Sequence, residues 1–151
     1  HLRDWPVLPG EWRDEALAGK WARVRVIRRE LTTRIEEFRK EGLIGASLQA
    51  AVNVFLNPND RALLAPDAWA EVCIVSAASV SRLTELPNNV PRSIRPAEIS
   101  DDPAEDHART GGVLVSVAPG TKCERCWRVL PEVGQSHAHP ALCRRCEAVA
   151  S

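Results

Sequence analysis

Four cysteines near the C-terminus, Cys123, Cys126, Cys143 and Cys146, form two Cys-x-x-Cys pairs separated by sixteen residues. That spacing suits a tetrathiolate metal site. Each pair lets one tight turn present two sulfurs, and the loop between them returns the second pair to close a tetrahedron. Four thiolates leave no vacant coordination position, so a bound ion would organise the chain and not activate water. Zinc is the expected ion. A rubredoxin-like iron site uses similar ligands, and disulfides or a redox pair are the other chemistries open to such cysteines. Disulfide frameworks suit small secreted domains, yet the chain ahead of the knuckles holds one further cysteine, Cys73, and no signal-peptide pattern. His137 and His139, between the pairs, read as solvated loop residues. Cys73 lies in the apolar run Val72 to Val75 and reads as a small buried hydrophobe, with no histidine nearby in sequence to activate it.

Charge says little about partners. Lys plus Arg and Asp plus Glu balance at 20 each, so the net charge predicts no polyanionic ligand. Residues 119–151 carry a small basic excess, which a tetrathiolate zinc centre, itself doubly negative, would offset. The longest apolar stretches are too short to span a bilayer, and unpaired cysteines suit a reducing compartment, so the cytoplasm is the expected location. The chain contains no methionine, even at position 1, and is expected to be a fragment or a processed product.

The elements that must position the knuckles can be sketched from periodicity. Residues 1–10 read as an extended lead-in rich in proline. A long helix is expected from about Asp14 to Glu41, with Trp21, Val24, Ile27, Leu31, Ile35 and Phe38 tracing one buried stripe. Asp14 and Glu15 suit its N-terminal end, Arg39 and Lys40 the other, and Gly42 and Gly45 supply the stop. Lys20, Arg23, Arg25, Arg28 and Arg29 make either a phosphate-facing surface or, the favoured reading, a solvated face paired with Glu30, Glu36 and Glu37. A strand is expected over 51–56, then short helices over Asn59 to Ala65 and Pro66 to Glu71. Two further strands are expected, Glu71 to Ser76 and Ala78 to Leu83. Pro87, Pro91, Pro96 and Pro103, with Asp101, Asp102, Glu105 and Asp106, mark 84–112 as a loop or linker and not core. Val113 to Ala118 reads as a last strand running into the metal module. The expected fold class is α+β: a long N-terminal helix, a small β-sheet with short helices, and a C-terminal four-cysteine zinc ribbon. No internal repeat is visible.

Two separated blocks carry a family resemblance. The run Lys122-Cys123-Glu124-Arg125-Cys126-Trp127-Arg128, followed by Cys143-Arg144-Arg145-Cys146, resembles the C-terminal zinc finger of bacterial isoleucyl-tRNA synthetases. The second block comprises His1 to Pro6, Trp21 to Arg28, Arg39 and Ile44 to Ala50. It looks like the junction where that family's helical anticodon-binding domain ends and its C-terminal extension begins. The resemblance is weakest at 84–112, and Gln49 stands where the family often has an acid.

What the resemblance implies is a class I ligase that joins isoleucine to tRNA(Ile) with ATP and Mg. The catalytic and editing domains of such an enzyme would lie outside this chain, which shows no nucleotide motif and no Gly-rich phosphate loop. Residues 1–45 would then close the anticodon-binding helical domain, 46–118 form a small junction domain with its linker, and 119–151 form the zinc ribbon. The expected task is non-catalytic: holding tRNA, chiefly at the anticodon arm, as a monomer that binds neither membrane nor DNA. Unpaired bases are held by stacking and edge hydrogen bonds, and cations hold the backbone. Lys122, Arg125, Arg128, Arg144 and Arg145 supply cations beside the metal. Trp127 either stacks on a base or packs against the ribbon or sheet. Two other functions fit a zinc ribbon. One is the finger of a formamidopyrimidine-type DNA glycosylase, which has the same spacing, although the loop here has no arginine between Arg128 and His137. The other is a protein-interaction module that binds no tRNA.

Overall fold

The computed structural model describes residues 7, 9–94 and 110–150. Most of the expected lead-in at 1–10, and residues 95–109 of the expected linker, lie outside that range. After a short turn of 3-10 helix at Gly10–Trp12, α1 spans Glu15–Lys40. Its start is set by Asp14, whose side chain accepts the Leu17 N–H at 2.9 Å and so satisfies one of the orphan donors of the first turn. Its end is set by Gly42, left-handed at φ 74°, after which the Leu43 N–H donates back to the Phe38 carbonyl at 3.1 Å. Of the expected stripe, Val24, Ile27, Leu31 and Ile35 are buried, Phe38 is half-buried and Trp21 is 37 % exposed. The stripe fades at its ends because a 26-residue helix, at ~1.5 Å per residue, outruns seven-residue strands at ~3.3 Å per residue.

Four strands make a mixed sheet in the order β2-β1-β4-β3. β1 is Ala50–Leu56, β2 Ala77–Arg82, β3 Arg92–Ile94 and β4 Gly111–Val117. β1 pairs with β2 in parallel, Leu56 facing Arg82, and with β4 antiparallel, Ala50 facing Val117. Between β1 and β2 the chain crosses through α2, Pro58–Arg61, and α3, Pro66–Cys73. Val52, Val54 and Leu56 alternate onto one face of β1 and meet α1 and α3 there. Trp69, fully buried, is the largest side chain of that core.

Four expectations need correction. The first short helix begins at Pro58, not Asn59, because Asn57 caps it by accepting the Asp60 N–H at 2.9 Å. The strand expected at Glu71 to Ser76 is not formed. Pro66 opens a helix whose Trp69, Ala70 and Cys73 fall at helical spacing on the core side, and the apolar run is that helix's inner face. Ile74, left-handed at φ 57° and exposed, ends it and turns the chain into β2. The segment 84–112 is not wholly loop: β3 pairs with β4, Ile94 is fully buried, and Gly111 and Gly112 belong to β4. The glycines explain the fit, since a Cβ on Gly112 would lie 2.6 Å from Leu86 Cδ1 and 3.1 Å from the Pro91 carbonyl.

The fourth concerns the five-cation face of α1, for which neither reading holds throughout. Arg23 turns inward onto Asp60, at 2.7 and 2.5 Å, and onto the Thr110 hydroxyl at 3.0 Å. Arg28 donates to the Val72 carbonyl at 2.8 Å. Only Lys20, Arg25 and Arg29 remain exposed. Glu30 and Glu37 pair instead with Arg34, and Glu36 with Arg39. Burying the Arg23–Asp60 pair clips α1 to α2, a tertiary demand that helical spacing does not reveal.

Candidate metal centre and nucleic-acid surface

The ribbon is a second, much smaller unit. β5, Thr121–Lys122, and β6, Val129–Leu130, form a two-stranded hairpin, and α4, Arg144–Glu147, carries the last cysteine. The first knuckle closes through two backbone bonds: the Trp127 N–H donates to the Cys123 carbonyl and the Cys123 N–H to the Arg128 carbonyl, both at 2.9 Å. The second knuckle is drawn in by the Glu124 N–H donating to the Ala141 carbonyl at 3.1 Å. Arg125 Nη1 donates to the Cys146 carbonyl at 3.2 Å and ties the knuckles together. Around the cysteines the packing is thin, consisting of Val133 with the half-buried Leu130 and Leu142.

The four sulfurs lie within 4.8 Å of one another. A tetrahedron with Zn–S bonds of ~2.3 Å has edges of about 3.8 Å, and Cys126 Sγ sits 3.7 Å from Cys143 Sγ. A disulfide would require ~2.05 Å, and all five cysteines are free. The electrostatics favour a cation. Burial works against the Cys123 thiolate, but backbone N–H groups of Cys126, Cys143 and Arg125 stabilise it and bring the thiol down to about 6. Burial and the neighbouring sulfurs push Cys146 up to about 12 and also raise Cys143. One thiolate is thus welcome and further ones repel it, a conflict that a divalent ion relieves. His137 is exposed and His139 half-buried, and neither belongs to the donor cluster. Cys73 is buried at the end of α3, where burial pushes its thiol up to about 11.

The remaining candidate residues are placed unequally. Trp127 is 60 % exposed and left-handed at φ 67°, which swings its ring out of the knuckle toward solvent. Lys122 Nζ stands 5.2 Å from the ring centroid, a cation–π distance. Arg144 is exposed, and exposed Arg145 makes a long ion pair with Glu71 at 3.7 Å. Arg128 differs. Its guanidinium is half-buried and donates twice to the Ser76 carbonyl, at 2.6 Å and 3.2 Å.

Ser76 was not singled out by sequence reasoning, yet it joins the two units. Fully buried, it receives Arg128 on its carbonyl and the Val129 N–H on its hydroxyl at 2.6 Å. The same hydroxyl donates to the Leu48 carbonyl, and the Ser76 N–H donates to the Ala50 carbonyl at 3.0 Å. Gly120 serves the ribbon's own closure. At φ 111° a Cβ there would fall 2.3 Å from the Leu130 backbone, so the hairpin closes against a position that only glycine can occupy. No helix among the described residues is long and apolar enough to cross a membrane.

Residues 120–149 match the family model described as the zinc finger found in FPG and IleRS. With the four-sulfur donor set, that match supports a single structural zinc. Along its length the chain is similar to a stretch of isoleucine–tRNA ligases. It is 40 % identical over 151 residues to that of Gluconobacter oxydans (strain 621H), covering 100 % of this chain and 14 % of the relative. It is 38 % identical over 136 residues to that of Bordetella avium (strain 197N), covering 87 % and 12 %. With that of Geobacter sulfurreducens it shares 33 % over 148 residues, covering 98 % and 15 %. The chain therefore spans only about one-seventh of the length of the curated relatives it matches.

Proposed function

We propose that this chain, homologous throughout to one stretch of isoleucine–tRNA ligases, is the zinc-bearing C-terminal part of such an enzyme and holds its tRNA(Ile) near the anticodon arm. The enzyme would be a class I, cytoplasmic, monomeric ligase using ATP and Mg, with its catalytic and editing domains outside these residues. Cys123, Cys126, Cys143 and Cys146 would ligate the zinc, which supplies rigidity and no step of the reaction. Residues 119–151 would be the ribbon and 46–118 the junction. Residues 1–45 would end the helical anticodon-binding domain: α1 buries one side in the junction core, while exposed Trp12, Leu17 and Trp21 offer an apolar edge to the preceding helices.

The observation that carries the tRNA reading is the outward Trp127 ring with Lys122 beside it, on a knuckle fixed by the metal centre. A ring packed into the ribbon would be buried. An exposed ring flanked by a cation is the arrangement that stacks an unpaired base and neutralises its phosphate. Arg144 and Arg145 extend the positive surface. Arg125 and Arg128 would contribute mainly by holding the ribbon in shape, given their carbonyl partners. The DNA-glycosylase reading gains nothing outside the finger, since the similarity to ligases runs through the helix and sheet as well.

Binding of tRNA(Ile) to the wild-type chain and to Trp127→Ala, at two salt concentrations and beside a melting curve, tests the proposal. Loss of about 1–3 kcal/mol of RNA affinity is expected, with an unchanged melting temperature. A variant that melts early and binds normally once folded would assign Trp127 to packing. A chain that ignores tRNA altogether would leave the ribbon as a protein-interaction module.

A further inference from the structure

The ribbon sits at the Ala50 end of β1, where Ser76 and Ala118 meet the sheet. At the opposite end of the same strand lies an open pocket of about 490 Å³. Its walls include Arg61 from α2, Arg82 from the end of β2 and Arg92 from the start of β3, over apolar surface from Leu56, Pro58 and Leu83. Three separate elements thus deliver three arginines to one cavity. The sheet register brings them there: Leu56 pairs with Arg82, and Gly112 lies between Phe55 and Arg92.

These arginines differ from those that the fold engages internally. Arg23, Arg28, Arg34, Arg39, Arg125 and Arg128 each donate to a carboxylate or a carbonyl. The guanidinium groups of Arg61, Arg82 and Arg92 have no such partner among the described residues, and all three residues are exposed. The nearby acid Glu85 accepts the Arg82 backbone N–H. Three like charges around one cavity repel each other, and an anion entering it relieves that repulsion while accepting forked hydrogen bonds. The cavity also lies beyond the carboxyl ends of the parallel pair β1 and β2, the side on which open α/β sheets receive ligands.

We propose that this pocket binds the phosphate of a nucleotide, with the apolar wall of Leu56, Pro58 and Leu83 against its base or sugar. The phosphate comes from a free nucleotide or from the phosphodiester of an RNA strand. The pocket stands apart from the proposed tRNA role of the ribbon, because none of its lining residues belongs to the ribbon.

Amide NMR of the zinc-loaded chain, titrated separately with inorganic phosphate, AMP and a trinucleotide RNA, tests the assignment. Saturable shifts are expected at Asn57, Thr84 and Arg92, which line or flank the cavity. Each of Arg61→Gln, Arg82→Gln and Arg92→Gln should weaken binding about tenfold, and the triple variant should abolish it while retaining wild-type dispersion elsewhere. AMP binding as tightly as the trinucleotide identifies a free nucleotide as the ligand, and a trinucleotide preference identifies an RNA strand. Absence of saturable shifts with all three probes, or undiminished binding by the triple variant, overturns the pocket. Trp127→Ala should leave these shifts intact, so the ribbon's role and the pocket's can fail separately.

Discussion

The helix–sheet body and the ribbon are stabilised by different physics. The body packs α1 and α3 on the sheet through aliphatic side chains from Val24 to Val115, with Trp69 the largest fully buried side chain. The ribbon's buried cluster is Cys123, Val133, Cys143 and Cys146, so its core is largely the sulfurs of its candidate metal centre. Apolar burial contributes roughly 1.5–3 kcal/mol per large side chain, and the body has many of them while the ribbon has almost none. A fold can therefore carry two units in one chain that fail under unrelated insults.

Chelation gives the widest separation. Structural zinc contributes apparent binding energies of ~10–16 kcal/mol in small modules, so strong chelation, or Cys143→Ser, should unfold the ribbon. Trp127 emission and amide dispersion over 120–149 would report that loss, while far-UV circular dichroism from α1 persists. If the helix melts together with the ribbon, the two units are one cooperative structure and the contrast fails.

The converse experiment attacks the body. Trp69→Ala should cost about 3–5 kcal/mol through the cavity it leaves, lowering the melting temperature without changing zinc stoichiometry. Arg23→Met should cost a similar ~3–5 kcal/mol, because it strands Asp60 as an unpaired buried charge; denaturant titration would measure it. The double variant Arg23→Met with Asp60→Leu should recover much of that loss.

Alkali should also discriminate. Burial raises the Cys73 thiol from 9.0 to about 11. Its neutral form is therefore favoured by folding, and this contribution is complete below pH 9 and lost as pH climbs toward 11. The loss at the end of that window is roughly 2–3 kcal/mol, readable in the body's denaturation midpoint and abolished in Cys73→Ala.

Ser76→Ala is the smallest perturbation and the one aimed at the seam. It leaves the Val129 N–H and the Leu48 carbonyl short of a partner, at about 1–3 kcal/mol. Zinc should stay bound and the sheet intact, while residual dipolar couplings report a ribbon no longer aligned with the sheet.

Much of this division was readable from residue spacing. The cysteine pairs and the 3–4 period of α1 are local signals, each repeated several times over a short stretch, and the cap at Asp14 sits where its chemistry demands. Signals failed where one segment satisfied two patterns. Val72 to Val75 is apolar enough for a strand, and only Pro66 together with the Trp69–Ala70–Cys73 spacing marks it as a helix face. β3 hides among prolines because its pairing partner is supplied by the distant Gly111 and Gly112. No local motif reveals the Arg23–Asp60 and Arg128–Ser76 contacts, since their partners lie 37 and 52 residues apart. The three pocket arginines are scattered for the same reason.

The Ser76 joint has a metric consequence. With the ribbon clamped at Ala50 and the arginine cavity at Leu56, six residue steps of β1 separate them, about 20 Å at ~3.3 Å per step. A strand is nearly inextensible, so it works as a calliper: a single-stranded polymer that touched both jaws would be selected by contour length before any base was read.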